Sequence, residues 1–281
     1  MKKLLICTDL DRTLLPNGEA PESPDAAARF ARLVSRPEVT LAYVSGRHSA
    51  LVQSAIEDYK IPLPHWVIGD VGTTMYQITG DRWQYSSSWE AEISKDWQGF
   101  KASDLPSLFA DITDLTYLTL QEDAKQNQYK LSYYLPLETD LQPLQDCMRN
   151  RLKENNIEAT LIYSIDESAA IGLLDILPTN ATKLHAVEFL MQQQGFDSSN
   201  TVFAGDSGND LPVLASAVPA ILVANADEDT IAQAQFQTQQ NGTTDYFYHA
   251  SGGFLGMNGN YSAGILEGIA HYHPTLQSWM E

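Results

Sequence analysis

Leu4-Leu5-Ile6-Cys7-Thr8-Asp9-Leu10-Asp11-Arg12-Thr13 sets a short apolar run directly against two acids. Nearly two hundred residues later the arrangement recurs, where Thr201-Val202-Phe203-Ala204 leads into Gly205-Asp206-Ser207-Gly208-Asn209-Asp210. Apolar runs of this kind form buried parallel strands. Both acid clusters therefore stand at carboxyl ends of strands, where open α/β sheets bind their ligands. Carboxylates forced together there need a hard cation such as Mg²⁺ to offset their repulsion. The two stretches make chemical sense if the fold brings them together, and the chemistry they point to is Mg²⁺-dependent phosphoryl transfer through an aspartate.

Working outward from Asp9, strand and helix alternate. Ser23-Pro24 offers an N-cap and a first-turn proline for a helix through Leu33. Val39–Val44 reads as a second buried strand ending in Ser45-Gly46-Arg47, a helix covers Ser49–Tyr59, and a third strand runs Trp66–Ile68 into Gly69-Asp70-Val71-Gly72-Thr73. This order predicts a parallel sheet with right-handed crossovers. From Tyr76 the texture changes. Thr79-Gly80-Asp81-Arg82 is a hairpin turn, a Trp-rich helical stretch spans Trp89 to Ile112, and strands are expected at Tyr117–Leu120, Tyr129–Leu135, Ala159–Tyr163 and Ile171–Ile176 around a helix from Asp140 to Glu154. Strand pairs flanking a helix suggest an inserted α+β segment. Alternation returns with a helix from Lys183. The expected architecture is thus an α/β, Rossmann-like core with a parallel sheet, built from residues 1–78 and 178–281, and an inserted α+β cap domain over 79–177.

Composition narrows the function. With 17 basic against 36 acidic residues the formal charge is −19, which disfavours nucleic acid or an anionic membrane as partner. The two cysteines, Cys7 and Cys147, are far apart and lack metal-ligand spacing, as expected for a reducing cytoplasm. The apolar run near the start stops at four residues and meets Asp9, too short for a signal h-region or a membrane span.

Asp9 and Asp11, two apart at a strand end, would point to one face if the backbone stayed extended. Asp9 is then the candidate nucleophile, accepting the phosphoryl group as an acyl phosphate, and Asp11 the acid that protonates the leaving oxygen and later activates water. Ser45 can donate its hydroxyl to a phosphate oxygen beside an anion nest of main-chain amides. Lys183, in a first helical turn where the helix dipole disfavours it, can neutralise Asp9 and the transferring group. Asp206 would ligate Mg²⁺ directly, with Asp210 and Asn209 completing or bracing the shell.

In this order and spacing Asp9/Asp11, Ser45, Lys183 and Asp206/Asp210 resemble the haloacid dehalogenase-like superfamily over essentially the whole chain. The resemblance implies a Rossmann-like core, Mg²⁺ held by Asp9, Asp11, Asp206 and Asp210, and a phosphoaspartate at Asp9. The insertion looks like the type IIB cap, whose bearers favour phosphosugars. Val44-Ser45-Gly46-Arg47, Gly69 to Thr73, Lys130-Leu131-Ser132-Tyr133 and Ser262 to Ile269 look like the sucrose-6-phosphate phosphatases. That likeness implies that Lys130 and cap neighbours such as Tyr133 hold the sugar and that Arg47 lines the entrance, with Thr13, Gly46 and Asn209 completing the substrate contacts. Two positions depart from the pattern: Thr74 stands where a Glu is usual, and Leu184 follows the lysine where Gly is common. The alternatives are a mannosylfructose-phosphate or other phosphosugar phosphatase, a phosphomutase, or a catalytically silent binding domain partnered with a glycosyltransferase of the sucrose-phosphate synthase kind.

Overall fold

The computed structural model describes residues 3–110, 118–166 and 169–281, and the chain separates into two units, residues 1–85 with 183–281 and residues 86–182. In the larger unit β1 (Leu4–Thr8) is buried at every position. One of its faces, Leu4 and Ile6, packs with Phe30, Leu33, Leu266 and Ile269, and full burial of such side chains contributes roughly 1.5–3 kcal/mol each. The chain continues through α1 (Ala26–Val34), β2 (Val39–Val44), α2 (Ser49–Tyr59), β3 (Trp66–Gly69), β4 (Thr74–Thr79) and β5 (Arg82–Tyr85). Helix α1 begins two residues beyond Pro24, with Asp25 at its N-cap. Ser23 does not cap it; the Ser23 hydroxyl instead accepts from the Asn258 amide.

The smaller unit carries α3 (Ser87–Ile93), α4 (Leu105–Leu108), β6 (Thr119–Leu120), β7 (Leu131–Leu135), α5 (Leu141–Glu154), β8 (Ala159–Asp166) and β9 (Ile171–Pro178). Its sheet is antiparallel, in the order β6-β7-β9-β8. Within the helical stretch expected from Trp89 to Ile112, the described residues form two short helices with a turn of 3₁₀ helix at Ser94–Trp97 between them. Residues 111–117, which include the ends of two expected elements at Ile112 and Tyr117, lie outside the described residues. Trp89 and Trp97 are fully buried, so they fill the interior of this unit.

The chain then returns to the larger unit with α6 (Lys183–Gln194), β10 (Thr201–Gly205), α7 (Leu211–Leu214), β11 (Ala220–Leu222), α8 (Glu228–Asn241), β12 (Phe247–His249) and α9 (Ser262–Tyr272). The large sheet runs β12-β11-β10-β1-β2-β3-β4-β5, parallel from β12 to β3 and antiparallel beyond. The hairpin, whose second strand the sequence reading placed in the insertion, thus extends the main sheet. It does so because β3 turns straight back at 70–73 and Met75 pairs with Ile68. Gly80 supplies the positive φ, 57°, that the β4–β5 turn requires. At the other end α9 is buried from Ser262 to Ala270. A Cβ at Gly268 would stand 2.4 Å from Ile221 Cγ1, so that glycine lets the helix lie directly on β11. Among the described residues no helix is long and apolar enough to cross a membrane.

Candidate active site

Strand register places the site. Thr8 lies opposite Tyr43 of β2 on one side and Ala204 of β10 on the other, so Asp9 leaves the central strand between the carboxyl ends of its two neighbours. The Asp9 amide donates to Ala204 O at 2.9 Å, which holds it there. Asp206 follows β10, and Asp210 sits four residues on, at the end of a 3₁₀ turn capped by Ser207. One carboxylate oxygen from each of Asp9, Asp206 and Asp210 lies within 4.8 Å of the others, and all three residues are buried. The 193 residues separating Thr13 from Asp206 are closed by a direct hydrogen bond, Oγ1 to Oδ1 at 2.9 Å.

Lys183, the first residue of α6, is 4% exposed and spans the group. Its Nζ donates to Asp210 Oδ1 at 2.7 Å and to Asn209 Oδ1 at 3.0 Å, and lies 3.3 Å from Asp9 Oδ1. Burial opposes the Lys183 charge, but Asp210 and then Asp9 outweigh it and hold the ammonium above its ordinary pKa. One ammonium cannot satisfy the whole cluster. Burial pushes Asp9 up to about 7 against the lowering effect of Lys183, and Asp206 up to about 6 against that of Arg12. Three carboxylates thus face two cations when all are ionised. Buried oxygen donors carrying an uncompensated negative charge suit a hard divalent ion, so these residues fit Mg²⁺.

Asp11, expected among the metal residues, has its carboxylate outside this group. The backbone does not stay extended past Leu10. Leu14 and Leu15 amides both donate to Leu10 O, at 3.0 and 2.8 Å, and Arg12 takes φ 55°, so the chain turns and carries Asp11 to a different set of partners. Arg47 grips it with two bonds, Nε to Oδ2 at 2.8 Å and a terminal nitrogen to Oδ1 at 2.5 Å, and Asn17 adds a third at 2.7 Å. Burial raises the Asp11 carboxyl, but these bonds prevail and hold it below the usual carboxylate range.

Other expected residues also find specific places. Ser45 is buried, its amide bonded to Ile68 O at 2.8 Å and its hydroxyl accepting from the Arg47 amide at 3.1 Å. Gly46 is exposed, and an added Cβ would meet only Val71 at 3.9 Å. The loop 45–47 is braced by 69–73: Asp70 N donates to Arg47 O and Val71 N to Ser45 O. Asp70 and Val71 both hold positive φ there, 51° and 61°, a conformation that is strained for a β-branched residue. Thr13 was expected to meet substrate; its hydroxyl is engaged by Asp206 inside the protein instead. Asn209 is exposed and supports Lys183. Thr74 turns its hydroxyl onto Asp70 Oδ2 at 3.0 Å.

Three residues escaped the sequence reading. Arg12 reaches Asp206 Oδ2 with Nε at 3.1 Å. Asn17 accepts from the Arg12 amide at 2.8 Å. Asn225 donates to Arg12 O at 2.6 Å while accepting from the Tyr261 amide. The usable signal for the last was position: Asn225 follows the apolar run Ala220–Val223, as Asp9 and Asp206 follow theirs.

In the smaller unit, Lys130 and Tyr133 do not share a face. Ser132 pairs with Asp175 and Tyr133 with Leu174. The Ser132 hydroxyl donates to Asp175 Oδ1 at 2.5 Å, and Lys130 Nζ lies 4.0 Å from Asp175 Oδ2. Lys130, Ser132 and Asp175 therefore form one polar group. Tyr133 belongs with the buried Leu131, Leu135 and Leu174 on the opposite face, where burial raises its phenol to about 12.

A Rossmann-like sheet with a buried aspartate trio and a lysine at the carboxyl ends of its central strands defines a haloacid dehalogenase-like hydrolase. The model of the sucrose-6F-phosphate phosphohydrolase family matches residues 2–273, and the chain belongs to that family of phosphoric monoester hydrolases. It is 56% identical over its whole length to a protein of Nitrosococcus oceani named as a HAD-like hydrolase, covering 74% of it. It is 26% identical to the mannosylfructose-phosphate phosphatase of Agrobacterium fabrum, over 97% of this chain and 98% of that one. The fold is that of the crystal structure of sucrose-phosphatase from Synechocystis sp. PCC6803 in complex with sucrose and phosphate, with TM-score 0.69, 24% identity, and 97% and 98% of the two chains covered.

Proposed function

We propose that the chain is a Mg²⁺-dependent phosphatase of a phosphorylated disaccharide, with sucrose 6-phosphate as the leading substrate. The observation that carries the reading is Asp9, buried on the central strand beside Lys183 and within the carboxylate trio, in a chain matched throughout by the sucrose-6F-phosphate phosphohydrolase model. Asp9, Asp206 and Asp210 would hold the ion, which supplies charge stabilisation to the transferring phosphoryl group when bound. Asp9 attacks phosphorus and becomes an acyl phosphate as the bond to the sugar oxygen breaks. Asp11 gives its proton to that oxygen. It then takes a proton from water, whose attack on the acyl phosphate releases inorganic phosphate and restores Asp9. Lys183 favours the ionised state of Asp9, and Ser45 with its neighbouring amides receives a phosphate oxygen.

Arg47 must release Asp11 for this sequence to run, because a carboxylate gripped by a guanidinium is a poor acid. Arrival of an anionic substrate gives Arg47 a competing partner. The core groups all address phosphate, so sugar choice is assigned to the smaller unit through Lys130 and its polar partners Ser132 and Asp175. A phosphate-release screen over phosphosugars with Mg²⁺, including sucrose 6-phosphate and mannosylfructose phosphate, tests the reading. Preferential release from a phosphodisaccharide supports it, and isomerised sugar phosphate without released phosphate would mark a mutase.

A further inference from the structure

Arg12 is part of the site but not of the chemistry above. Its main chain is fixed on both sides: the amide donates to Asn17 Oδ1 at 2.8 Å and the carbonyl accepts from Asn225 Nδ2 at 2.6 Å. Its stem runs past Gly18, where an added Cβ would stand 3.5 Å from Arg12 Cγ. The residue also keeps φ 55°, a left-handed conformation in which Asn or Gly would be at ease. So constrained, the side chain delivers Nε to within 3.1 Å of Asp206 Oδ2 while its own surface stays 52% exposed. The other oxygen of Asp206 accepts from Thr13. Both oxygens of a carboxylate in the trio are thus occupied, one of them by a permanent positive charge.

A monovalent cation anchored on Asp206 and a divalent one bound by Asp9, Asp206 and Asp210 draw on the same negative charge. They also repel each other over a distance well inside the screening length at physiological salt. We propose that Arg12 is a resident counter-cation for the carboxylate trio. It neutralises Asp206 while the site lacks its metal and, by staying within reach of the same carboxylate, lowers the affinity for the divalent ion. This rests on the assignment of Asp9, Asp206 and Asp210 as the metal group. Because the side chain is half exposed it can swing toward solvent as the ion enters, with only side-chain rotation.

The test is calorimetric titration of Mg²⁺ into the phosphate-free protein and two variants, with melting temperatures recorded with and without Mg²⁺. Arg12→Gln removes the charge at the same backbone position, and Arg12→Lys keeps it. Mg²⁺ should bind Arg12→Gln about tenfold more tightly than the unaltered chain, and Arg12→Lys within about twofold of it. The metal-free melting temperature of Arg12→Gln should fall while that of its Mg²⁺-loaded form holds. Unchanged or weaker Mg²⁺ binding by Arg12→Gln would overturn the proposal, as would equal tightening by Arg12→Lys. If the unaltered chain takes up no Mg²⁺ at all, the metal assignment itself fails, which is a different result from a chain that binds Mg²⁺ without regard to residue 12.

Discussion

Asp9 is held at the boundary between two charge states. Burial favours its neutral form and Lys183 its ionised form, and the balance leaves it at about 7, far above an ordinary carboxylate. The sign of its effect on stability follows. Where the folded value lies above the unfolded one, the native state keeps a proton that the unfolded chain releases, so stability is lost as pH rises between the two values. The metal-free melting temperature should therefore carry a component that falls between about pH 4 and 7. Subtracting the melting profile of Asp9→Asn from that of the unaltered chain isolates it; identical profiles would refute the assignment. The same substitution should abolish phosphate release. Asp11→Asn should cut release by at least about a hundredfold and leave the circular-dichroism spectrum intact, since Asp11 is half-buried and bonded only to Arg47 and Asn17 among the contacts described. Near-normal turnover by either folded variant would contradict the roles given to them.

Strand alternation decides more at the scale of elements than residue type does. Lys130 and Tyr133 lie three apart, and across β7 an odd spacing sends two side chains to opposite faces. Tyr133→Ala should destabilise the smaller unit by about 3 kcal/mol, the cost of emptying a buried aromatic site, while Tyr133→Phe should leave kcat/KM unchanged. Lys130→Ala should lower kcat/KM for the sugar phosphate far more than for p-nitrophenyl phosphate. Equal losses on both substrates would make Lys130 a folding residue, and a larger loss from Tyr133→Phe would return the tyrosine to the sugar site. The strands β1, β2 and β10 were legible because buried parallel strands are continuous apolar runs ending in acids or serine. Which of the two faces carries Asp175 was not, because that is set by the register of pairing with β9. The β4–β5 hairpin was recognisable from Gly80 but not its sheet, since a turn sequence specifies a hairpin and not what the hairpin joins. The bend after Leu10 was hidden as well: nothing local in Asp9-Leu10-Asp11 announces that the chain turns there, with the Leu14 and Leu15 amides on Leu10 O, while Arg47 and Asn17 take the Asp11 carboxylate.

Across the whole molecule, the site joins the first strand to a segment beginning two hundred residues later. Thr13 and Arg12 hold Asp206 from one side, and Lys183 bridges Asp9 to Asp210 from the other. A divalent ion bound by the trio would add a further cross-link between the same segments and would stabilise the folded chain by about 2.7 kcal/mol at a hundredfold excess over its Kd. Hydrogen exchange can locate that stabilisation. Mg²⁺ should slow exchange in peptides covering residues 8–17 and 204–214 together, and leave 131–166 in the smaller unit at its metal-free rate. Chelation should silence phosphate release, and Ca²⁺ should restore little of it, because its larger and looser coordination suits an in-line displacement poorly. Protection of one segment without the other would mean that the ion does not bridge Asp9 to Asp206 and Asp210. Full activity in chelator would remove the metal from the reaction, leaving Lys183 to stabilise the phosphoryl group unaided.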